Sequence, residues 1–244
     1  MKKFKTTLFS TIFIFILTSK VFALNNTGPA TEYKITMTHL ELCEVGSTDS
    51  NCLNPVTIGT GVSAPIDIAN TSAGAAAASY GKLGSVPFGK SYGMYQVTMK
   101  RAITIAGTVS DGTNTCRTNA DDSTINTAVK GKTSGAAATV TLYIAFVSTT
   151  LDKAINSIDS GDGSGTAQAA GTVAEDDEYV QYRGVFTQPV KLTGGRLPTL
   201  KLAFGTANAL GYMSAANGRC ASHNGSTSQG LYGDKPNVTA TVIY

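Results

Sequence analysis

The stretch YQVTMKRAITIA, residues 95–106, decides the fold class of this 244-residue chain. Its odd-numbered positions are apolar except for one arginine: Tyr95, Val97, Met99, Arg101, Ile103 and Ile105. Because side chains alternate between the two faces of a strand, this pattern predicts a long, half-buried β-strand. Arg101 falls on the apolar face, which is unfavourable unless its charge is paired. We therefore expect the strand to bend at Arg101, or the arginine stem to pack while its guanidinium reaches an edge.

The same alternation recurs along the chain. In residues 33–43 the apolar positions change parity at His39–Leu40, which predicts a β-bulge. Further strands are predicted at 56–58, 66–68, 139–147, 179–186, 190–192, 199–204 and 238–244. No segment combines helix caps with an apolar face of helical period. We predict a single all-β domain over residues 24–244, an antiparallel β-sandwich of jelly-roll or Ig-like type, with about 8–10 strands and long Gly/Ser-rich loops.

Residues 1–23, MKKFKTTLFSTIFIFILTSKVFA, are predicted to be a cleaved signal peptide. Three lysines within the first five residues precede an apolar core at 8–17, which is too short to span a bilayer, and Val21–Ala23 fits a cleavage site. We expect no transmembrane helix after cleavage. The predicted location is secreted or at the cell surface, and in a Gram-negative bacterium the periplasm or outer surface.

The formal net charge of +3 depends on the signal segment. Four of the 19 Lys and Arg residues lie in it and none of the 16 Asp and Glu, so cleavage would leave a nearly neutral chain. Non-specific nucleic-acid binding requires an excess of positive charge. The charge balance therefore excludes nucleic acid as an expected partner.

The chain contains four cysteines: Cys43, Cys52, Cys116 and Cys220. In an exported protein an even number predicts disulfide bonds, here with three possible pairings. We favour Cys43–Cys52, which closes a short loop at a strand end, and Cys116–Cys220, which ties a mid-chain loop to the C-terminal region. A zinc site built from all four is disfavoured because no CxxC spacing is present.

The sequence shows no catalytic constellation. The two histidines, His39 and His223, lie far apart in the chain, and neither GxSxG nor HExxH occurs. We therefore predict that the protein is not an enzyme and requires no cofactor, with calcium as the one candidate ion.

The candidate calcium site lies in an acidic, glycine-rich segment. Carboxylates and turn carbonyls supply the oxygen ligands that this cation prefers. The candidate ligands are Asp159, Asp162, Asp176 and Asp177. Their spacing matches no standard calcium loop, so a flexible acidic loop is the alternative interpretation.

Three tyrosines in predicted loops, Tyr92, Tyr212 and Tyr232, are candidates for stacking on sugars. Tryptophan, the usual aromatic platform for carbohydrates, is absent. The alternative interpretation is that these rings anchor loops to the sandwich.

The two ends of the mature chain suggest self-assembly. A polar lead precedes a strand with Tyr33, Ile35 and Met37, and the last strand alternates to Val242 and Tyr244. A strand freed from its own sheet can complete the edge of a neighbour's sheet. The layout resembles that of chaperone-assembled pilins: a cleaved signal, a disulfide, an all-β body and a C-terminal aromatic strand. No residue motif of that family is present.

The leading hypothesis is an exported structural or adhesive protein, with a surface fibre subunit that assembles by strand exchange as its specific form. Its partners would be other copies or other surface proteins. The alternative is an extracellular carbohydrate- or ligand-binding module with glycan partners. An outer-membrane β-barrel, suggested by the terminal aromatic residue, and a secreted hydrolase rank below both.

Overall fold

A computed structural model describes residues 26–70, 83–110, 115–120, 131–144, 154–158, 178–191, 193, 199–213, 220, 230–234 and 236–243. Apart from one short 3-10 turn at Leu83–Ser85, the regular structure in these residues is strand. The strands are β1 (Asn26–Gly28), β2 (Ala30–Ile35), β3 (Met37–Glu44), β4 (Val56–Thr60), β5 (Ile66–Asp67), β6 (Ser91–Lys100), β7 (Ala102–Ser110), β8 (Thr115–Arg117), β9 (Val140–Tyr143), β10 (Ala154–Ile158), β11 (Tyr179–Lys191), β12 (Thr199–Gly205), β13 (Leu210–Met213), β14 (Gly230–Gly233) and β15 (Asn237–Ile243).

The strands form four antiparallel sheets. Sheet I has the order β10-β11-β6-β3-β4, and sheet II has the order β5-β2-β7-β8 with β9 also paired to β7. Sheet III is β1-β13-β14, and the C-terminal ribbon consists of β12 and β15. The all-β, antiparallel prediction is confirmed. The predicted number of about 8–10 strands is too low, because long strands break in two and short strands occur in segments predicted to be loops.

The long strand predicted at 95–106 breaks at Arg101. Its first part is β6 in sheet I, and its second part is β7 in sheet II. The antiparallel neighbour breaks at the same level, since β2 pairs with β7 and β3 pairs with β6 on either side of Thr36. The Lys100 amide donates to the Thr36 carbonyl at 2.8 Å, which ties the two breaks together. We call this junction the corner.

Arg101 occupies the corner with a side chain that is only 5% exposed. Its backbone amide donates to the Glu178 carbonyl at 2.8 Å, and its Nε donates to the Ile144 carbonyl at 3.1 Å. The guanidinium carbon lies 5.1 Å from the centroid of the Tyr143 ring, a cation–π distance. The bend expected from a charged residue on an apolar face is confirmed, whereas the guanidinium is buried and bound by a carbonyl and a ring instead of reaching an exposed edge.

The bulge predicted at His39–Leu40 is also present. The register of β3 shifts against β4 between Leu40 and Glu41, and against β6 between Met37 and His39. The shift keeps Leu40 and Leu42 in the core while Glu41 lies on the opposite face of sheet I, beside Gln96.

Tyrosines dominate the largest fully buried side chains, including Tyr33, Tyr92, Tyr95 and Tyr212. A ring of this size requires a small residue opposite it. Gly184 meets this need in β11, because a Cβ there would lie 2.2 Å from the Tyr95 ring. Glycine at this position is therefore set by close packing.

The favoured disulfide pairing is confirmed. Cys43–Cys52 closes a loop of nine-residue separation, and Cys116–Cys220 joins β8 to a point 104 residues further along the chain. Two disulfides indicate an oxidising, extracellular environment.

Within the described ranges, none of the helical segments is both long and apolar enough to cross a membrane.

Candidate functional site

The C-terminal ribbon presents one apolar face to the body of the protein. Its register pairs Leu202 with Ala240 and Phe204 with Val238. On β15 the even positions Val238, Ala240 and Val242 pack against the core, whereas the odd positions are exposed. The alternation predicted for 238–244 therefore matches the burial of the strand.

A cavity of about 30 Å³ lies beneath the ribbon, and the surface that faces it is apolar. Such a surface offers a water molecule none of the polar partners that hold buried water in place. Its lining comes from both sheets and from the ribbon: Tyr33, Ile35, Met37, Ile68, Tyr95, Val97, Met99, Ile144, Tyr182, Leu202, Phe204, Pro236 and Val238.

The structure brings the predicted strand-exchange residues from the two ends of the chain to this region. Tyr33, Ile35 and Met37 line the cavity, and Val242 packs against the same core from β15. Tyr244 lies outside the described residues. The N-terminal and C-terminal segments thus contribute to one apolar cluster.

Within the part of the chain that the structure describes, few main-chain bonds attach the ribbon to the body. In the described part of the chain β15 has a ladder only to β12, and it lies beside β11 without pairing to it. Immediately after β12, the Thr206 carbonyl accepts a hydrogen bond from the Ala30 amide at 3.0 Å. Most of its attachment is therefore side-chain packing.

Tyr33 makes a hydrogen bond to the chain shortly before β15 begins. Its hydroxyl donates to the Asp234 carbonyl at 3.0 Å, and the Asp234 amide donates to the Ala209 carbonyl at 2.9 Å. Burial, and then the negative charge of Asp234, raise the pKa of the Tyr33 phenol far above its usual value. The phenol stays neutral and acts as a donor at every physiological pH.

A second polar feature runs across the face of sheet I opposite the cavity. Glu41, Gln96 and Arg183 lie side by side on β3, β6 and β11. Gln96 Nε2 donates to Glu41 Oε2 at 2.6 Å, and Arg183 Nε donates to Gln96 Oε1 at 2.5 Å. Arg183 also donates to the Asp49 carbonyl at 2.6 Å, which holds the Cys43–Cys52 loop. We call these three residues the polar row.

Burial lowers the pKa of the Arg183 guanidinium from its usual value, while the charges of Glu41 and Asp49 act in the opposite direction. The guanidinium remains charged, because its usual pKa lies far above neutral pH. The row is a chain of satisfied donors and acceptors, an arrangement that makes a buried polar network stabilising.

His39 lies next to this row but does not form a catalytic relay. Its Nε2 is 3.2 Å from Thr57 Oγ1 and 3.7 Å from Glu41 Oε1. A triad needs the acid and the nucleophile at opposite ring nitrogens. Both partners here approach the same nitrogen, so this geometry cannot activate the Thr57 hydroxyl.

The three tyrosines predicted to stack on sugars lie in strands, and their placement in exposed loops is wrong. Tyr92 is in β6, Tyr212 in β13 and Tyr232 in β14, with side chains at most 5% exposed. Sugar stacking needs an open ring face, which these residues do not offer in this structure.

The predicted calcium ligands Asp159, Asp162, Asp176 and Asp177, and also His223, lie outside the described residues. Among the residues that the structure does describe, no group of three or more His, Cys, Asp or Glu side chains could hold a metal ion. The calcium site stays a prediction.

The polar row is the feature that the sequence analysis missed. One signal was available, since Gln96 and Arg183 each occupy a polar position within an alternating strand. Their meeting depends on the pairing of β6 with β11, which a single sequence does not reveal.

No protein-family model matches this chain, and no curated protein or solved structure matches it either. Its function must be inferred from its own residues.

Proposed function

We propose that this protein is an exported structural or adhesive β-sandwich subunit that associates with other copies of itself by strand exchange. One observation carries the proposal. Strands β2 and β3 near the start of the chain and β15 near its end contribute to the same apolar cavity, and the covering ribbon is attached mainly by packing.

In the proposed sandwich, sheets I and II are the two layers, and the C-terminal ribbon covers the apolar space between them. The corner joins the layers on one side through continuous strands. On the ribbon side the closure is side-chain packing, so an equivalent strand from another copy can supply the same closure.

Export supports this role. The predicted signal peptide directs the chain out of the cytoplasm, and the two disulfides suit an oxidising exterior. An extracellular assembly also benefits from covalent bridges, because disulfides persist in oxidising environments.

The glycan-binding alternative has less support. Its three candidate tyrosines are buried in strands. A specific glycan site would need a different set of residues.

Sedimentation velocity and negative-stain electron microscopy test the proposal. The chain, processed after Ala23 and purified from an oxidising compartment, is compared over a wide range of concentrations. We expect oligomers or filaments whose fraction grows with concentration. A protein that stays monomeric at the highest concentration, with no filaments on the grid, contradicts the proposed function.

A further inference from the structure

We infer that the exchanged segment is β15 and that its acceptor is β12 together with the apolar cavity of a second copy. This inference rests on the proposed function, and it decides which end of the chain moves. It assigns Tyr33, Ile35 and Met37 to the acceptor surface, whereas the sequence pattern suggested them as part of an exchanging strand.

Strands β2 and β3 are fixed in the body of the protein. β2 pairs with β7 on one edge and with β5 on the other, and β3 pairs with β6 and β4. Both strands also run through the corner. Removing either one would break two ladders and separate sheets I and II, which makes them unsuitable for exchange.

β15 is held differently. Among the described residues it leaves a single ladder when it departs, the one with β12. Its inner positions Val238, Ala240 and Val242 are small or medium-sized apolar residues, which a second copy presents with the same spacing. On the outer face Ile243 is already 44% exposed, so departure of the strand exposes little further surface there.

The Cys116–Cys220 disulfide limits how much of the chain can leave. It ties the chain at position 220 to β8 in sheet II. Only the part after Cys220 is free of this restraint, and within it β15 follows β14 through the short connection Asp234–Pro236.

The second copy is the fitting partner because its β15 has the same sequence. Every contact that β15 makes inside one chain is available between two chains, including the ladder to β12. Exchange therefore costs mainly the entropy of association, which high local concentration offsets.

A double-cysteine variant tests the inference directly. Lys201 and Thr241 are opposite each other across the ribbon, and both are exposed. In Lys201→Cys/Thr241→Cys, mild oxidation joins the two positions wherever β12 and β15 are paired. We expect the assembled fraction to run as covalent dimers or a ladder on a non-reducing gel, with loss of the monomer band.

A matched control tests whether β2, instead of β15, is the exchanged strand. Lys34 on β2 and Thr104 on β7 are also opposite each other and half-buried. We expect Lys34→Cys/Thr104→Cys to link within one chain and to run as a monomer in the same assembled fraction. Peptide mass mapping verifies in both variants that the native pairs Cys43–Cys52 and Cys116–Cys220 are retained.

The outcomes separate the two proposals. An assembled fraction in which the Lys201/Thr241 pair links only within chains overturns the β15 inference and leaves self-assembly standing. Links between chains at the Lys34/Thr104 pair overturn it in favour of β2. A sample with no assembled fraction overturns the inference together with the proposed function.

Discussion

The corner and the C-terminal ribbon both bridge sheets I and II, but they are held in different ways. At the corner, the chain passes twice from one sheet directly into the other, and Arg101 is fixed by carbonyl oxygens and the Tyr143 ring. At the ribbon, one ladder and a set of apolar contacts close the structure. Directional bonds hold the first bridge, whereas the second is held mainly by apolar packing, which is why we propose exchange at the ribbon and not at the corner.

The largest expected effect comes from removing the Cys116–Cys220 disulfide, whose cysteines lie between the corner and β15 in the sequence. Chain-entropy arguments assign about 4–5 kcal/mol to the long Cys116–Cys220 loop and about 2–3 kcal/mol to the short Cys43–Cys52 loop. We expect Cys116→Ser/Cys220→Ser to lose more stability than Cys43→Ser/Cys52→Ser in urea unfolding. Equal losses would show that the long bridge does not restrain the C-terminal region.

Arg101 provides the second test. In Arg101→Ala the Ile144 carbonyl loses a buried donor and the Tyr143 ring loses its cation, so we expect a loss of about 3 kcal/mol. Urea midpoints measure the change, with the exposed neighbour Lys100→Ala as the control, expected within about 0.5 kcal/mol of wild type. A loss below about 1 kcal/mol at Arg101 would mean that the ladders alone hold the corner.

Hydrogen exchange compares the two regions without mutation. The amides of β15 can exchange with solvent after local opening of the ribbon, whereas exchange of the β7 amides requires the corner to open. In the monomeric fraction we expect β15 amides to exchange at least about tenfold faster than β7 amides, equivalent to about 1.4 kcal/mol. Equal protection would place the ribbon in the same cooperative unit as the corner and argue against exchange.

The break at Arg101 and the bulge at His39–Leu40 were predictable because their signals are local, whereas the break at Thr36 was not predicted. A charged residue on the apolar face at Arg101 and a change of parity at His39 both interrupt an otherwise regular alternation. The inner face of β15 was predictable for the same reason. The pairing of β15 with β12 was not predictable, because it joins segments that are far apart in the sequence.

The buried tyrosines were mispredicted for a physical reason. Tyr212 and Tyr232 lie in short strands rich in glycine, which lack a regular apolar alternation. The glycines serve packing, since a Cβ on Gly211 would lie 2.2 Å from the Tyr232 ring. Neighbouring glycine and tyrosine residues therefore indicated a loop, whereas in the structure a tyrosine ring packs against the backbone of a glycine.

The smallest expected effect is a pH dependence confined to the body of the protein. Hydrogen bonds from Lys34 and then Thr139 lower the pKa of Glu32 on β2 below its usual value of 4.5. A lowered folded-state pKa gives stability that is present above 4.5 and lost as pH falls through the folded pKa. We expect wild type to lose slightly more stability than Glu32→Gln between neutral pH and acid, measured by urea midpoints at each pH.

The ribbon should not share this acid dependence, because neither β12 nor β15 contains an Asp or Glu. Exchange of β15 amides, corrected for the intrinsic pH effect, should therefore change less on acidification than exchange of the β2 amides around Glu32. If β15 loosened first, its attachment would depend on a carboxylate near the ribbon, for which Asp234 at the start of the connection is the candidate. Asp234→Asn would then remove the effect, and apolar packing would no longer suffice to explain how the ribbon is held.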